Sequence, residues 1–149
     1  MKDYIINDFT DLRFQSSFKE YFKELEIELN NWDSLFKEMN EEKDNFAILR
    51  MKDDMVVGFI QFKIDTLSNW FFEEKVGFIR EFWINKNIRK EGHGASLLKL
   101  AEEHFMENKV YKSILTTDTA SKFYIKNGYA FDPSYKALNE DDVYVKILK

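Results

Sequence analysis

The chain has 149 residues, carries a formal net charge of −5 and contains no cysteine. A chain of this length forms one domain and buries roughly 70% of the surface that its unfolded form exposes. Its 44% hydrophobic and 33% charged content excludes a disordered chain. The missing cysteines exclude disulfides, thiolate metal sites and an acyl-cysteine intermediate. We therefore expect a single domain, residues 1–149.

The sequence offers no sign of a membrane or secretory segment. No window reaches the roughly 20 apolar residues of a membrane span, and the segment Met1–Asp8 contains no apolar stretch long enough for a signal peptide. We expect a cytoplasmic protein with no membrane partner. The acidic balance argues against nucleic acid as a partner, because phosphate backbones are bound by basic surfaces, and it suits a cationic substrate slightly better.

Hydrophobic periodicity predicts the order of the secondary structure. The expected elements are a strand at 4–7, two helices within 10–42 interrupted at Asn30-Asn31, a hairpin of strands at 46–51 and 55–64, a looser stretch at 65–75, a strand at 76–84, a helix at 94–108, a strand at 110–116, a short helix at 119–127 and a last strand at 143–148. This order predicts an α/β (α+β) domain with a mixed sheet.

A glycine-containing turn, Arg89-Lys90-Glu91-Gly92-His93-Gly94-Ala95, follows the predicted strand and opens the next helix. This arrangement favours an anion site, because glycine lets the backbone approach a phosphate and the helix start supplies free N–H groups. Leu97 stands where a dinucleotide fingerprint needs a small residue, and no P-loop Gly-Lys-Ser/Thr occurs. Taken alone, the motif fits equally well a turn that simply requires glycine.

A second motif runs from Ala120 to Tyr129, and Gly128 is placed to end its short helix. Its central aromatic residues are Phe123 and Tyr124, and a mid-helix aromatic belongs to a core more often than to a catalytic site. The two motifs in this order, with a strand between them, are far less common by accident than either motif alone.

Together, Arg89-x-x-Gly92-x-Gly94 and Ala120-x-x-Phe123-Tyr124-x-Lys126-x-Gly128-Tyr129 resemble the GNAT superfamily of N-acetyltransferases, and the resemblance covers most of the chain. It implies a mixed, mostly antiparallel central sheet flanked by helices, with a splayed strand pair that holds coenzyme A. In that family the glycine turn, here Arg89 to Ala95, wraps the pyrophosphate with backbone amides. The strand before the turn, here ending Phe82-Trp83-Ile84, pairs with the pantetheine arm.

The resemblance also implies catalytic roles for Tyr124, near the coenzyme sulfur, and for Glu81, as a base on the splayed strand. A phenol with a pKa of about 10 stays protonated at neutral pH and can protonate a thiolate whose conjugate acid has a pKa near ~8.5. An alkyl amine arrives as an ammonium ion and loses its proton before attack, which gives Glu81 a function. The alternatives are a core role for Tyr124 and a paired charge for Glu81, with Arg80 as its partner.

Three residues depart from the family pattern or stand outside it. Thr117 occupies a position where many members have asparagine, so a cofactor contact there is limited to a hydroxyl. His93 lies at the variable position of the turn, where its backbone matters more than its ring. His104 has no second histidine at metal-ligand spacing, so we read it as a surface or packing residue and predict no metal.

These features predict an acetyl-CoA-dependent N-acetyltransferase in which an amine attacks the thioester directly within a ternary complex. A non-catalytic acyl-CoA-binding or sensing module is the alternative, and a purely structural interaction domain is a third. The resemblance places the acceptor, a small-molecule or peptide amine, near Trp32, Ser68-Asn69-Trp70-Phe71-Phe72 and Tyr144. A core position or a homodimer contact is an equal explanation for Trp70 to Phe72.

Overall fold

The computed structural model describes every residue from Met1 to Lys149. The chain forms one seven-stranded sheet with helices on both faces. Its strands are β1 (Lys2–Ile6), β2 (Asn45–Lys52), β3 (Met55–Ser68), β4 (Glu73–Ile84), β5 (Lys112–Thr117), β6 (Ala130–Phe131) and β7 (Asp142–Ile147). Its helices are α1 (Leu12–Glu24), α2 (Trp32–Glu41), α3 (His93–Glu107) and α4 (Ser121–Lys126), with a single 3₁₀ turn at Lys86–Ile88.

The strand order is β1-β2-β3-β4-β5-β7-β6, and every neighbouring pair is antiparallel except β4 and β5. Those two parallel strands pair only at Gly77 with Ser113 and at Phe78 with Ile114. Beyond this point β4 continues to Ile84 and β5 continues to Thr117, but the two strands no longer pair with each other, so they splay apart. The mixed, mostly antiparallel sheet confirms the predicted fold class.

Alternating strand residues form two main hydrophobic cores, one on each face of the sheet, besides a small cluster of Val76, Ile114 and Val143. On the front face, α1 and α2 cover a cluster that includes Phe14, Phe18 and Phe59. On the back face, α3 and α4 cover a larger cluster that includes Phe105 and Tyr124. None of the helices combines the length and the apolar character that a bilayer crossing needs.

The predicted break between the first two helices is confirmed, since Asn31 is the N-cap of α2 and its side chain accepts from the Ser34 backbone N–H at 3.0 Å. The prediction of a looser stretch at 65–75 is wrong. Strand β3 runs on to Ser68 and β4 begins at Glu73, and Asn69 closes the hairpin by accepting from two backbone N–H groups. The polar residues of this arm mask the alternation that reveals a half-buried strand.

Candidate active site

The open edge of β4 is set by its pairing with β3 on the other side. The Asn85 N–H donates to the carbonyl of Val57 on β3 at 2.8 Å. Because the N–H and C=O of one strand residue point the same way and successive residues alternate, Phe82 and Ile84 present their main-chain groups to the splay. The side chain of Trp83 instead packs in the front cluster. Of the three residues predicted on this strand, two therefore face the opening with their backbone.

The glycine turn leads directly into α3 and leaves its first N–H groups free. Gly92 is the N-cap, has a φ of +89° and makes no side-chain cap. The first helical bond runs from the Ser96 N–H to the Gly92 carbonyl at 3.1 Å. The N–H groups of His93, Gly94 and Ala95 therefore have no partner within the helix and are available to an anion.

The structure brings the two sequence motifs into contact. A Cβ built on Gly94 would lie 3.3 Å from ring atoms of Phe123 on α4, so glycine allows α4 to sit against the turn. The rings of Phe82 and Phe123 meet edge-on with centroids 6.0 Å apart. The end of β4, the turn and α4 therefore form one continuous wall around the splay.

Arg89 is committed to contacts within the protein. Its Nε donates to the carbonyl of Ile84 at 2.8 Å, and its terminal nitrogen donates to both carboxylate oxygens of Glu24 on α1 at 2.6 and 2.7 Å. Glu24 also accepts from the indole N–H of Trp83 at 3.1 Å. These bonds tie the end of β4 and the start of the turn to α1, so Arg89 shapes the site while its charge is paired. Lys90, with a φ of +66°, and Glu91 complete the exposed part of the turn.

Tyr124 lies on the back face and reaches the splay from α4. Its side chain is buried, but its hydroxyl has no hydrogen-bond partner within the protein. Burial and the nearby charge of Glu81 raise the pKa of Tyr124 to about 12. The phenol is therefore a protonated donor whose capacity is unused by the protein itself.

Glu81 stands on a bulge of β4 and faces α1. Ile60 and Phe62 of β3 pair with Phe82 and Ile79, so two β4 residues, Arg80 and Glu81, oppose one residue of β3. The Tyr21 hydroxyl donates to Oε2 of Glu81 at 2.6 Å, and Oε1 accepts no hydrogen bond from the protein. The suggested pairing of Glu81 with Arg80 is wrong, because Arg80 pairs with Glu42 at 2.8 Å.

Tyr21 is the site residue that sequence reasoning missed. Burial, followed by the charge of Glu81 and the hydrogen bond to it, raises the pKa of Tyr21, and Tyr124 lies near enough to add to this effect. In the sequence, Tyr21 follows the same helical stripe as Phe14 and Phe18, which are core residues. The hydrogen bond from Tyr21 to Glu81 joins residues 60 positions apart, so it becomes visible only in the folded structure.

The remaining predicted residues are distributed around the site. Thr117 ends β5, and its Oγ1 accepts from the Ala120 N–H at 3.0 Å, which orders the start of α4. Tyr129, the last residue of the second motif, donates to Glu102 on α3 at 2.8 Å and bonds Ser113 on β5 at 2.7 Å. These contacts hold both ends of α4 against the sheet.

The expected aromatic acceptor wall is not assembled. Trp32 packs against Phe18 and Phe36 in the front cluster, whereas Tyr144 is buried on the back face. Trp70 is 97% exposed at the tip of the β3–β4 hairpin, which excludes a core position for it. Eight residues of β4 separate the hairpin from Glu81, a distance of roughly 26 Å at the strand rise.

The structure contains no group of three or more histidine, aspartate or glutamate side chains placed to hold an ion. The ring of His104 packs against Phe46 and Phe62, with centroids 4.7 and 5.3 Å away, and its Nε2 is buried without a partner. His104 is therefore a packing residue.

Comparison with known sequences agrees with this architecture. The sequence model of the acetyltransferase (GNAT) family matches residues 6–129. The chain belongs to this family. A search of curated protein sequences finds no match to it.

Solved structures share the GNAT fold at low sequence identity. A predicted acetyltransferase from Clostridium acetobutylicum, solved with acetyl-CoA, is 15% identical with a TM-score of 0.77, over 93% of this chain and 95% of that one. The PaiA N-acetyltransferase of Thermoplasma acidophilum, solved with coenzyme A, is 18% identical with a TM-score of 0.67, over 99% of both chains. An aminoglycoside acetyltransferase from an uncultured soil metagenomic sample, solved with sisomicin, is 15% identical with a TM-score of 0.66, over 91% of this chain and 90% of that one.

The chain's own residues fit the coenzyme that the GNAT family uses. The splay offers an unpaired strand edge for an amide-containing arm, and the start of α3 offers free N–H groups for a diphosphate. A Cβ on Gly92 would meet nothing within 4 Å, so the space outside the turn is open to a ligand. The end of β4 spans the distance between the unpaired strand edge and the free N–H groups at the start of α3.

Proposed function

We propose that the protein transfers an acetyl group from acetyl-CoA to a primary amine by direct attack of the amine within a ternary complex. The observation that carries this proposal is the convergence on one splay of three features: free N–H groups at the start of α3, the unpartnered hydroxyl of Tyr124, and the half-bonded carboxylate of Glu81. The absence of cysteine supports direct transfer, because no thiol is available to carry the acetyl group.

In this proposal the backbone binds the coenzyme. The N–H groups of His93, Gly94 and Ala95 donate to the diphosphate, assisted by the positive end of the α3 dipole. The main-chain groups of Phe82 and the N–H of Ile84 pair with the amides of the pantetheine arm along the edge of β4 that β5 leaves unpaired, while the Ile84 carbonyl accepts from Arg89. The hydroxyl proton of Thr117 is free to donate, since its oxygen accepts from Ala120. The bound coenzyme supplies the activated thioester.

Tyr124 protonates the departing sulfur. Its raised pKa keeps the phenol protonated across the range in which thiols and amines titrate, so the donor is present throughout turnover. Because the Tyr124 hydroxyl has no hydrogen-bond partner within the protein, no hydrogen bond has to break before it donates its proton.

Glu81 accepts the proton of the incoming amine. Tyr21 occupies Oε2 and fixes the carboxylate, while Oε1 is left to face the acceptor. The amine approaches from the front face, since α1 supplies Tyr21 there. The aminoglycoside acetyltransferase of similar fold supports including aminoglycosides with polyamines, amino acid derivatives and peptide amines among the acceptors to test.

The proposal is tested by incubating the protein with acetyl-CoA and a broad panel of amines and following thiol release with a thiol-reactive dye, to which a cysteine-free protein contributes no background. We expect release above the no-amine control with at least one class of amine. Tyr124→Phe should slow it roughly 10²- to 10⁴-fold without loss of coenzyme A affinity. Tyr111→Phe, an exposed tyrosine before β5, is the matched control and should leave the rate unchanged.

Coenzyme A titration by calorimetry separates the alternatives. Gly92→Val should weaken binding, because a β-branched residue is strained at a φ of +89° and displaces the N–H groups of the turn. Binding by the wild-type protein without thiol release from any amine would identify a non-catalytic acyl-CoA-binding module. An absence of coenzyme A binding would contradict the proposal altogether.

A further inference from the structure

Arg50 on β2 connects the far edge of the sheet to the glycine turn. The residue is only 8% exposed, and its guanidinium forms a two-pronged pair with Asp3 on β1, with both N–O distances 2.8 Å. The same guanidinium reaches the first turn of α3, where it donates to Ser96 Oγ at 2.9 Å and contacts His93 Nδ1 at 3.1 Å. Asp3 and Arg50 are 47 residues apart, and Arg50 and His93 are 43 apart.

The contact with Arg50 determines the tautomer of His93. A guanidinium has donors and no acceptor, so Nδ1 of His93 accepts this bond with its lone pair. The proton of the neutral ring is therefore on Nε2. That nitrogen lies 3.9 Å from Oε1 of Glu91, within the glycine turn, and the ring is largely buried. The ring thus presents an oriented N–H on the Glu91 side of the glycine turn, on the residue that begins α3.

We propose that Arg50, fixed by Asp3, is a positioning residue for the glycine turn, and that through it His93 Nε2–H donates to the diphosphate of coenzyme A. The inference rests on the proposed function. It extends the coenzyme site to β1 and β2, and it gives the side chain of His93 a binding role in addition to its backbone N–H. Asp3 matters because its two oxygens fix the plane of the guanidinium, which in turn fixes the imidazole.

Matched substitutions of His93 separate the two nitrogens of its ring. His93→Asn keeps an acceptor facing Arg50 and removes the distal donor, whereas His93→Gln restores a donor near the position of Nε2. By calorimetry, we expect His93→Asn to weaken coenzyme A binding about tenfold or more, the value of a hydrogen bond to a charged group, and His93→Gln to weaken it less. Equal affinities of wild type and His93→Asn would overturn the inference.

A double-variant cycle tests whether Arg50 acts through His93. Arg50→Met should weaken coenzyme A binding in the wild-type background and have little further effect in His93→Asn, because the bond it positions is already absent. Additive losses would show that Arg50 acts independently of His93 and would overturn the positioning role. Dephospho-coenzyme A, which retains the diphosphate, should report the same losses; an effect seen only with the 3′-phosphate present would also contradict the proposal.

A spectroscopic readout is independent of both activity and stability. The chain has two histidines, so the ring nitrogens of His93 can be assigned by comparing ¹⁵N spectra of the wild type and His93→Asn. We expect an unprotonated Nδ1 in the wild type and a mixed tautomer in Arg50→Met. A protonated Nδ1 in the wild type would overturn the inference, even with normal coenzyme A binding. Failure of the wild type to bind coenzyme A would instead remove the proposed function, and this inference with it.

Discussion

The residues that meet at the splay come from three separate segments of the chain. Tyr21 arrives on α1, Glu81 on the bulge of β4 and Tyr124 on α4, from opposite faces of the sheet. The proposed function gives each residue a different task. One oxygen of Glu81 is fixed by Tyr21, and the Tyr124 hydroxyl is left free for a ligand.

The pH dependence of turnover follows from the raised pKa of Tyr124. As the pH rises from 7 to about 10, the rate should increase because more of the amine is neutral, and ionisation of Tyr124, with a pKa of about 12, should not reverse this increase. The measurement is kcat/KM for the amine against pH, for wild type and Tyr124→Phe. A descending limb with a midpoint near 9 or 10 that disappears in the variant would contradict the assigned acid.

The contribution of Tyr21 to kcat is tested together with that of Glu81, its hydrogen-bond partner. Tyr21→Phe should lower kcat by up to roughly tenfold, because Glu81 loses its fixed orientation but keeps its carboxylate, whereas Glu81→Gln should cost roughly 10²-fold or more. The double variant should be no slower than Glu81→Gln alone. Steady-state kinetics measure all three. A Tyr21→Phe loss that persists undiminished in the Glu81→Gln background would show that Tyr21 acts on something else.

Sequence reasoning predicted some of these residues and not others for a physical reason. Tyr124 and the glycine turn lie in short contiguous motifs, so their neighbours along the chain identify them. Tyr21, Glu24 and Arg50 act through partners 43 to 65 residues away, and contacts of that range leave no local pattern. Periodicity places Tyr21 correctly on the buried stripe of α1. It cannot distinguish a ring that only packs from one whose hydroxyl also donates a hydrogen bond.

At the scale of elements, β4 organises the site. Its first half pairs on both sides, with β3 and briefly with β5, and its second half leaves one edge open. The switch occurs just after Gly77 and Phe78, and the bulge at Arg80 and Glu81 follows. The same strand therefore provides a rigid base for α3, an edge for an extended ligand and a carboxylate facing α1.

Gly77 is required where α3 packs onto β4. A Cβ at this position would lie 2.6 Å from ring atoms of Phe105, which is fully buried, so Gly77→Ala should lower the free energy of unfolding by about 1 to 3 kcal/mol. Chemical denaturation measures the change. In a Phe105→Leu background, where the ring is gone, the same substitution should cost much less. An equal cost in both backgrounds would contradict the close contact as its cause.

The predicted elements failed where polar residues interrupt the pattern or where an element is short. The extension of β3 and β4 past residue 65 is rich in charged residues, and β6 has only two residues, too few for any period. The prediction of an aromatic acceptor wall failed for another reason. Its aromatic residues were assigned to one surface from family geometry. Strand alternation instead places Tyr144 on the back face, and the β3–β4 hairpin places Trp70 at its exposed tip.

At the scale of the whole molecule, two main hydrophobic cores lie on the two faces of one sheet, and an ionisable group packed against one of them couples stability to pH. His104 is the case on the acidic side. Burial lowers its pKa from the ordinary value of 6.5. The unfolded chain therefore takes up this proton at a higher pH than the folded protein does, so this contribution to stability is fully present above pH 6.5 and is lost as the pH falls through the lowered pKa.

His104→Phe should abolish this loss. A phenyl ring keeps the contacts with Phe46 and Phe62 and has no group to protonate. Between pH 7 and about pH 5, the free energy of unfolding should fall more steeply in the wild type than in the variant, as measured by urea denaturation. The lowered pKa values of Asp8, Asp11 and Asp132 act below their ordinary value of 3.8, outside this range. Parallel curves would contradict the assignment to His104.

The central claim is that an amine takes the acetyl group directly from the coenzyme bound in the splay. It is tested most directly by a single-turnover reaction with protein in excess over acetyl-CoA, in which released thiol and acetylated amine are measured together and the protein is analysed by mass spectrometry. We expect one acetylated amine for each thiol, with no acetyl group on the protein at any time. Thiol release without acetylated amine, or a transient acetyl-protein, would contradict the account.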